Sequence, residues 1–317
     1  MSVVWNSIIL DSQSPETAWA GIFSALLRLA EQSSSPVALH DATVVPDRLL
    51  AEAAWELWEA FPEYAVRTSA TLKEWTIQGS ARAVLILDAL SLRELPILLA
   101  GAEARGIQPV QVRMTASECP STTDHFARAL GLPSRSALAN DAKPGTFVLF
   151  GTACYTDAVS IPFEDCVIPP TPNVVIWHSW LDDLIHLQRK LPDQIVSIAF
   201  SVLQGDGFWN FVNKLRQGRT LVITSDHGYA VSKRFSSEVE DPDAIDILRK
   251  TFGASRIKLV SEPWQKQFMP PIVMSHNGYH IVMGQTKWKV QGGFPHVCHG
   301  GMSLLEVAVP YVELPAL

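Results

Sequence analysis

Apolar positions recur at helical spacing through the first eighty residues, then give way to short apolar runs separated by helical stretches. Glu16 to Leu29 reads as an amphipathic helix, with Ser14-Pro15 at its start. Asp47 to Phe61 reads as a second, carrying Trp55 and Trp58 as core or docking residues, and Ser33-Ser34-Ser35 makes a loop between the two. From Ala83 onward the runs at Val84–Leu87, Pro109–Met114, Phe147–Phe150, Val174–Trp177, Leu221–Thr224, Ile257–Val260, His280–Met283 and Val307–Val312 predict strands. Helices are predicted between them at Ser91–Arg105 and Thr123–Leu130, and loops at Pro162–Pro172, Pro270-Pro271 and the acidic stretch Arg234–Asp243. Strands alternating with helices predict an α/β fold: a mostly parallel central sheet with helices on both faces, plus a small helical N-terminal part. The change of pattern divides the chain into a helical region, residues 1–80, and an α/β domain, residues 81–317.

Composition narrows the class. Of the 317 residues, 47% are hydrophobic and 18% charged, enough apolar material for a large core. A formal net charge of -7 argues against a protein that coats nucleic acid through a basic surface. Four cysteines without a paired spacing argue against a disulfide framework or a Cys-rich zinc finger. Neither a signal-peptide pattern nor a membrane-spanning run is legible, so a cytoplasmic protein with no membrane partner is expected.

The chemistry collects at strand ends. In Leu221-Val222-Ile223-Thr224-Ser225-Asp226-His227-Gly228-Tyr229 a buried-type strand runs into an Asp-His pair, at the edge where open α/β sheets place ligands. Asp oxygen and His nitrogen both suit a divalent metal, and Gly228 lets the chain turn away close to the site. Asp88 ends the strand Val84–Leu87 and is a ligand or an N-cap. Cys119-Pro120-Ser121-Thr122-Thr123-Asp124 puts hydroxyls at a helix start, where they serve as nucleophile or as caps. Asp182 and His186 share one helix face at i,i+4 and can hold one ion, with Asp183 one residue off that face. In Pro295-His296-Val297-Cys298-His299-Gly300-Gly301, His299 stands beside two glycines that permit close backbone approach; His296 and Cys298 are weaker candidates. Three carboxylates, three imidazoles and a hydroxyl suffice for two ions sharing a nucleophile, the standard clamp of phosphoryl chemistry.

From about Ala83 to the C-terminus these motifs resemble the alkaline phosphatase superfamily and, within it, the PglZ domain family. Thr224-Ser225-Asp226-His227-Gly228-Tyr229 and His299-Gly300-Gly301-Met302-Ser303-Leu304-Leu305-Glu306-Val307-Ala308-Val309-Pro310 carry most of the resemblance. Pro120-Ser121-Thr122-Thr123 is similar to the family's Pro-Ser/Thr-x-Thr, and Asp182 to His186 to its Asp-x-x-x-His. The resemblance implies one metal held by Asp88, Asp226, His227 and the nucleophile, and a second held by Asp182, His186 and His299. Counting from Pro120 makes the nucleophile Thr123; counting back from Arg128 makes it Thr122. Ser91 stands where the family usually carries Arg, and Arg93 follows two residues later.

The function expected is that of a metal-dependent phosphohydrolase. The resemblance makes it a phosphodiesterase on nucleotide or oligonucleotide substrates, with two divalent ions, zinc or alternatively manganese. Some family members belong to BREX phage-defence systems, which implies protein partners. The alternative is a catalytically weak, metal-stabilised scaffold subunit of such a complex. A sulfatase is disfavoured, because Cys119-Pro120-Ser121 lacks the Cys/Ser-x-Pro-x-Arg spacing. Lys233 and Arg234, just beyond the Asp-His pair, either meet a phosphate backbone or belong to a solvated loop.

Overall fold

The computed structural model describes residues 3–33, 35–79, 81–187, 192–260, 262, 264–265 and 268–317. Ser34 of the serine loop lies outside the described residues. Five helices come first: α1 (Trp5–Ile9), α2 (Pro15–Gln32), α3 (Pro36–Glu52), α4 (Trp55–Tyr64) and α5 (Thr68–Ile77). The Ser14 hydroxyl caps α2 by accepting from Thr17 N at 3.2 Å, and Thr17 Oγ1 accepts from Ser14 N in return. The helix predicted over 47–61 is two helices, because the backbone leaves helical geometry at Ala54 (φ -145°, ψ 42°). The break lets α4 set Trp58 and Phe61 against Trp19 of α2, each ring centroid 4.9 Å away. The Trp19 indole N–H donates to Leu57 O at 3.0 Å. These rings share one apolar core with Leu85, Leu87, Leu221 and Ile223 of the sheet.

The remaining elements are β1 (Arg82–Leu87), α6 (Leu95–Glu103), β2 (Gln111–Ala116), α7 (Thr123–Ala129), a 3-10 turn at Arg135–Asp141, β3 (Tyr155–Val159) and β4 (Val174–His178). Then come α8 (Trp180–Leu187), α9 (Pro192–Gln204), α10 (Asp206–Arg216), β5 (Thr220–Thr224), β6 (Ser237–Glu238), α11 (Pro242–Phe252), β7 (Ile257–Leu259), β8 (Val273–His276), β9 (Tyr279–Val282), β10 (Thr286–Lys287), α12 (Leu304–Val307) and β11 (Ala308–Leu314). The main sheet has six strands in the order β2-β11-β5-β1-β4-β3. The pairs β1–β4, β1–β5 and β3–β4 are parallel, and β11 runs antiparallel between β2 and β5. This is the mixed α/β fold with a mostly parallel sheet that the alternation predicts. Smaller sheets, β7-β9-β8 and β10-β6, flank it. No single helix among the described residues is long and apolar enough to cross a membrane.

The run Phe147–Phe150 is not a strand. Leu149 and Phe150 are buried against Phe126, Leu130 and Trp177, while Val148 N donates to Leu130 O and Phe150 N to Thr76 Oγ1. A short apolar run reports burial without reporting conformation. The edge strand is instead β3, which sequence reading missed. Helix α6 starts four residues later than predicted, because the Glu94 carboxylate gathers Ser91 N, Ser91 Oγ and the Tyr229 hydroxyl into a polar turn ahead of it.

The strand order matters most for function. β5, β1 and β4 are adjacent and parallel, so Asp226-His227, Asp88 and the start of α8 emerge at one sheet edge. The loop after β2 reaches α7 at that edge, and antiparallel β11 brings the His299 loop there from the far end of the sequence.

Candidate metal centre

Two clusters of ligand-type side chains form at this edge. Asp88, Asp226 and His227 make the first and Asp182, His186 and His299 the second; within each, the ligand atoms all lie within 4.8 Å of one another. The six residues are those named from the sequence. The His227 and His299 rings stack at 4.6 Å between centroids and 9° between planes, so the clusters adjoin.

The first cluster is wholly buried. His227 Nδ1 lies 3.0 Å from Gly228 O and donates to that carbonyl, leaving the Nε2 lone pair facing the carboxylates. His227 Nε2 stands 3.4 Å from Asp226 Oδ2 and 3.9 Å from Asp88 Oδ1. Asp226 Oδ1 accepts from Ala89 N at 3.1 Å and from Ser225 Oγ at 3.1 Å. Asp88 does not cap a helix: its Oδ2 accepts from the Trp177 indole N–H at 3.1 Å and from Arg135 Nη1, and its Oδ1 faces Thr123. Gly228 is required where it stands, because a Cβ there would fall 2.3 Å from Leu305 O.

The second cluster is more open. Asp182 Oδ1 lies 3.2 Å from His186 Nε2 across one turn of α8, and His186 Nε2 lies 3.0 Å from His299 Nε2. The His186 side chain is 54% exposed. Asp183, the off-face neighbour, accepts from Ser179 Oγ at 2.6 Å. His296 is exposed and outside both clusters. Burial, with Glu306 adding to it, pushes the Cys298 thiol up to about 12, so it stays a neutral thiol.

The three hydroxyls of the loop before α7 have different partners. Ser121 Oγ donates to Gly301 O at 2.8 Å and accepts from Gly300 N at 3.1 Å, tying this loop to the His299 loop. Thr122 is the N-cap of α7, and its Oγ1 lies 2.7 Å from His125 Nδ1. Thr123 Oγ1 donates to Asp88 Oδ1 at 3.3 Å and stands 3.2 Å from His227 Nε2, inside the first cluster.

The donor set fits divalent cations. Asp226 Oδ2 and His299 Nδ1 are buried and make no hydrogen bond, a costly arrangement for polar atoms with nothing to bind. Burial, with repulsion from Asp226 and Asp182, pushes the Asp88 carboxyl well above the ordinary range. Arg135 pulls the other way and stays charged: burial opposes it, and Asp88, Asp182 and Asp183 outweigh that opposition. One guanidinium does not compensate three carboxylates. His299 is pushed down to about 3 by burial, with His227 adding to it, which keeps its ring neutral. Burial also works against Asp182, yet His186 holds it below the ordinary carboxylate range, and Asp182 in turn raises His186.

Two supporting groups escaped sequence reading. The Arg256 Nε–Glu306 pair (2.9 and 3.1 Å) is buried behind the His299 loop. Glu306 Oε1 accepts from Gly301 N, and Oε2 accepts from Ser303 N and Oγ. Arg256 approaches so closely that a Cβ on Gly301 would meet its Nε at 2.3 Å. The Ser303-x-x-Glu306 capping box was a legible signal; Arg256 had none. The second is Arg135, whose position nothing local announces. The cations that sequence reading did flag lie elsewhere: Arg93 is buried over the Tyr229 ring, Lys233 is exposed, and Arg234 is 4.0 Å from Asp41.

No protein-family model and no curated protein matches this chain. Solved structures do. Phosphonoacetate hydrolase from Sinorhizobium meliloti 1021, in complex with phosphonoacetate, is 13% identical over 74% of this chain and 90% of that chain, with a TM-score of 0.39. Murine ectonucleotide pyrophosphatase/phosphodiesterase 5 in complex with AMP is 13% identical over 74% of this chain and 87% of that one, at a TM-score of 0.48. Its human counterpart is 14% identical over the same shares, at 0.42. At these identities and scores none of the three bears on the chemistry of the site.

Proposed function

We propose that this protein is a metal-dependent phosphohydrolase of the alkaline phosphatase superfamily, acting on phosphodiesters of the nucleotide or oligonucleotide kind, with Thr123 as its nucleophile. The observation that carries the reading is the Thr123 hydroxyl lodged between Asp88 and His227, where two three-ligand clusters adjoin. Asp88, Asp226 and His227 would hold one divalent ion beside Thr123, and Asp182, His186 and His299 a second. Three imidazoles among six ligands favour zinc, with manganese as the alternative. When bound, such ions polarise a phosphoryl group and acidify a neighbouring hydroxyl.

Thr123 Oγ1 forms the new bond to phosphorus as the bond from phosphorus to the leaving oxygen breaks, and the alcohol departs with a proton. Water then cleaves the phosphothreonine and restores the hydroxyl. Thr122 is assigned the cap instead, because its hydroxyl is already engaged with His125. The PglZ-like motifs support a phage-defence setting with protein partners.

The test is hydrolysis of bis-p-nitrophenyl phosphate and p-nitrophenyl phosphate by purified protein, after chelation and after adding back zinc or manganese. Metal-dependent turnover is expected. Thr123→Ala should lower it by about 10³-fold or more with metal content unchanged, whereas Thr122→Ala should retain turnover. Full activity in Thr123→Ala overturns the nucleophile assignment. Two bound ions without turnover would transfer the weight to a scaffold subunit.

A further inference from the structure

The imidazoles that stack between the two clusters are held differently. His227 is fixed through its own ring, with Nδ1 on Gly228 O at 3.0 Å. His299 Nδ1 makes no hydrogen bond, and its Nε2 faces His186 Nε2. A metal-binding imidazole is ordinarily oriented by a partner on its other nitrogen. Without one, the direction of the His299 ring is set by the backbone that follows it, at Gly300 and Gly301. Ser121 Oγ ties one side of that backbone, donating to Gly301 O and accepting from Gly300 N. Glu306 holds the other. Its Oε1 accepts from Gly301 N at 3.0 Å, and its Oε2 from Ser303 N at 3.0 Å and Ser303 Oγ at 2.6 Å. The Glu306 main-chain carbonyl also accepts from Gly228 N at 2.9 Å, so one residue reaches the loops of both His299 and His227.

Glu306 is in turn fixed by Arg256, just ahead of β7. Arg256 Nε donates to both carboxylate oxygens, at 2.9 and 3.1 Å. Nη1 donates to Thr286 O at 2.7 Å, and Nη2 to Gly284 O at 2.6 Å and Val282 O at 3.3 Å. The His299 loop is thereby pinned to the turn between β9 and β10. Both charges are buried, and a buried ion pair gives little stability over an apolar pair of the same volume. Its distinctive contribution is direction, because a planar guanidinium with donors in fixed positions admits one placement of the groups it grips. Resting on the reading that Asp182, His186 and His299 hold an ion, we propose that Glu306 and Arg256 are positioning residues for that second ion. They keep His299 within reach of Asp182 and His186, with the small β7-β9-β8 sheet as their footing. The first ion does not depend on their side chains. Asp226 and His227 have partners of their own, and the Gly228 contact is to a main-chain carbonyl that side-chain substitution leaves in place.

The test is zinc titration of the metal-free protein against a competing chelator, which resolves the two affinities; the second ion is the one weakened by His186→Ala. Glu306→Gln keeps the volume and one acceptor oxygen but removes the charge. It should weaken the second ion by about 10- to 100-fold and leave the first unchanged. Arg256→Lys, which retains the charge but not the fork of donors, should act in the same direction and less. Gly301→Ala approaches from the other side, since its Cβ would run into Arg256 Nε, and should reproduce the selective loss. The absorption spectrum of the cobalt-substituted protein should change for the second ion alone. Should Glu306→Gln fail to fold, Gly301→Ala and Arg256→Lys carry the test, with thermal melts confirming that each is folded. Equal weakening of both ions overturns the proposal, because it would make the pair a support of the fold only; so does an unchanged second affinity in the folded variants. Wild type that takes up no second ion overturns this proposal together with the two-ion reading. Selective loss of the second ion in a protein that cleaves neither ester would refute the hydrolase reading and leave the positioning role standing.

Discussion

The two ligand clusters are built on opposite plans. Asp88, Asp226 and His227 come from adjacent parallel strands, are fully buried, and have their non-ligating atoms tied to Trp177, Ala89 and Gly228. Asp182, His186 and His299 come from one helix and one loop at the far end of the chain, and His186 is more than half exposed. Strand ends in a packed sheet hold a ligand in place before any ion arrives, whereas a helix–loop pair depends on the loop's own support. If the two clusters hold ions as proposed, the first is the preorganised one and the second the one expected to exchange its ion first.

The sharpest way to break this contrast is to neutralise a buried ligand. Asp226→Asn retains an acceptor for Ala89 N but removes the charge. It should cost one bound ion and about 10²- to 10³-fold in turnover, read by metal analysis and ester hydrolysis. Retention of both ions would show that the buried cluster is not the stronger one. Next comes graded chelation, which should strip one ion well before the other. His186→Ala should advance that first loss by about 10-fold or more and leave the second unmoved. Simultaneous release of both ions would erase the difference in plan. Trp177→Phe, which deletes only the indole donor to Asp88 Oδ2, should weaken the first ion by about 10-fold while the second is unaffected.

The smallest effect concerns the support of the second cluster. Asp47 of α3 is fully buried, accepting from Leu304 N at the start of α12 and from Gln285 Nε2. Burial pushes its carboxyl up to about 7, although those two hydrogen bonds oppose the shift. The folded chain thus keeps a proton that the unfolded chain releases near pH ~4, and the contribution to stability declines as pH rises from about 4 to about 7. Asp47→Asn should remove a slope of at most about 1.4 kcal/mol per pH unit over that window, seen by denaturant melts at several pH values. An unchanged slope would show that Asp47 is ionised throughout.

Much of the site was legible before any fold. Asp226-His227-Gly228 and Asp88 announce themselves by ending apolar runs, and Asp182 and His186 by an i,i+4 spacing that depends on α8 alone. Legibility failed where long-range packing chose among local equals. Ser121, Thr122 and Thr123 are three similar hydroxyls in a row, and only the docking of the His299 loop and of Asp88 separates a loop tie, a cap and a cluster member. The apolar run at 147–150 has the composition of a strand and the place of a buried loop, for the same reason.

Sequence by itself determined the alternation of elements, the mostly parallel sheet and the identity of the ligand-type residues, because each rests on periodicity or on neighbours within a turn of helix. Tertiary structure decided the order β2-β11-β5-β1-β4-β3 and the juxtaposition of Thr123 with His227, 104 residues apart. It also decided the approach of Arg135 to Asp88 over 47 residues and of Arg256 to Glu306 over 50. Contacts of that separation leave no local period in the chain. They exist because burying the sheet's two faces brings its strand ends to one edge, and whichever charged groups arrive there must satisfy one another or an ion.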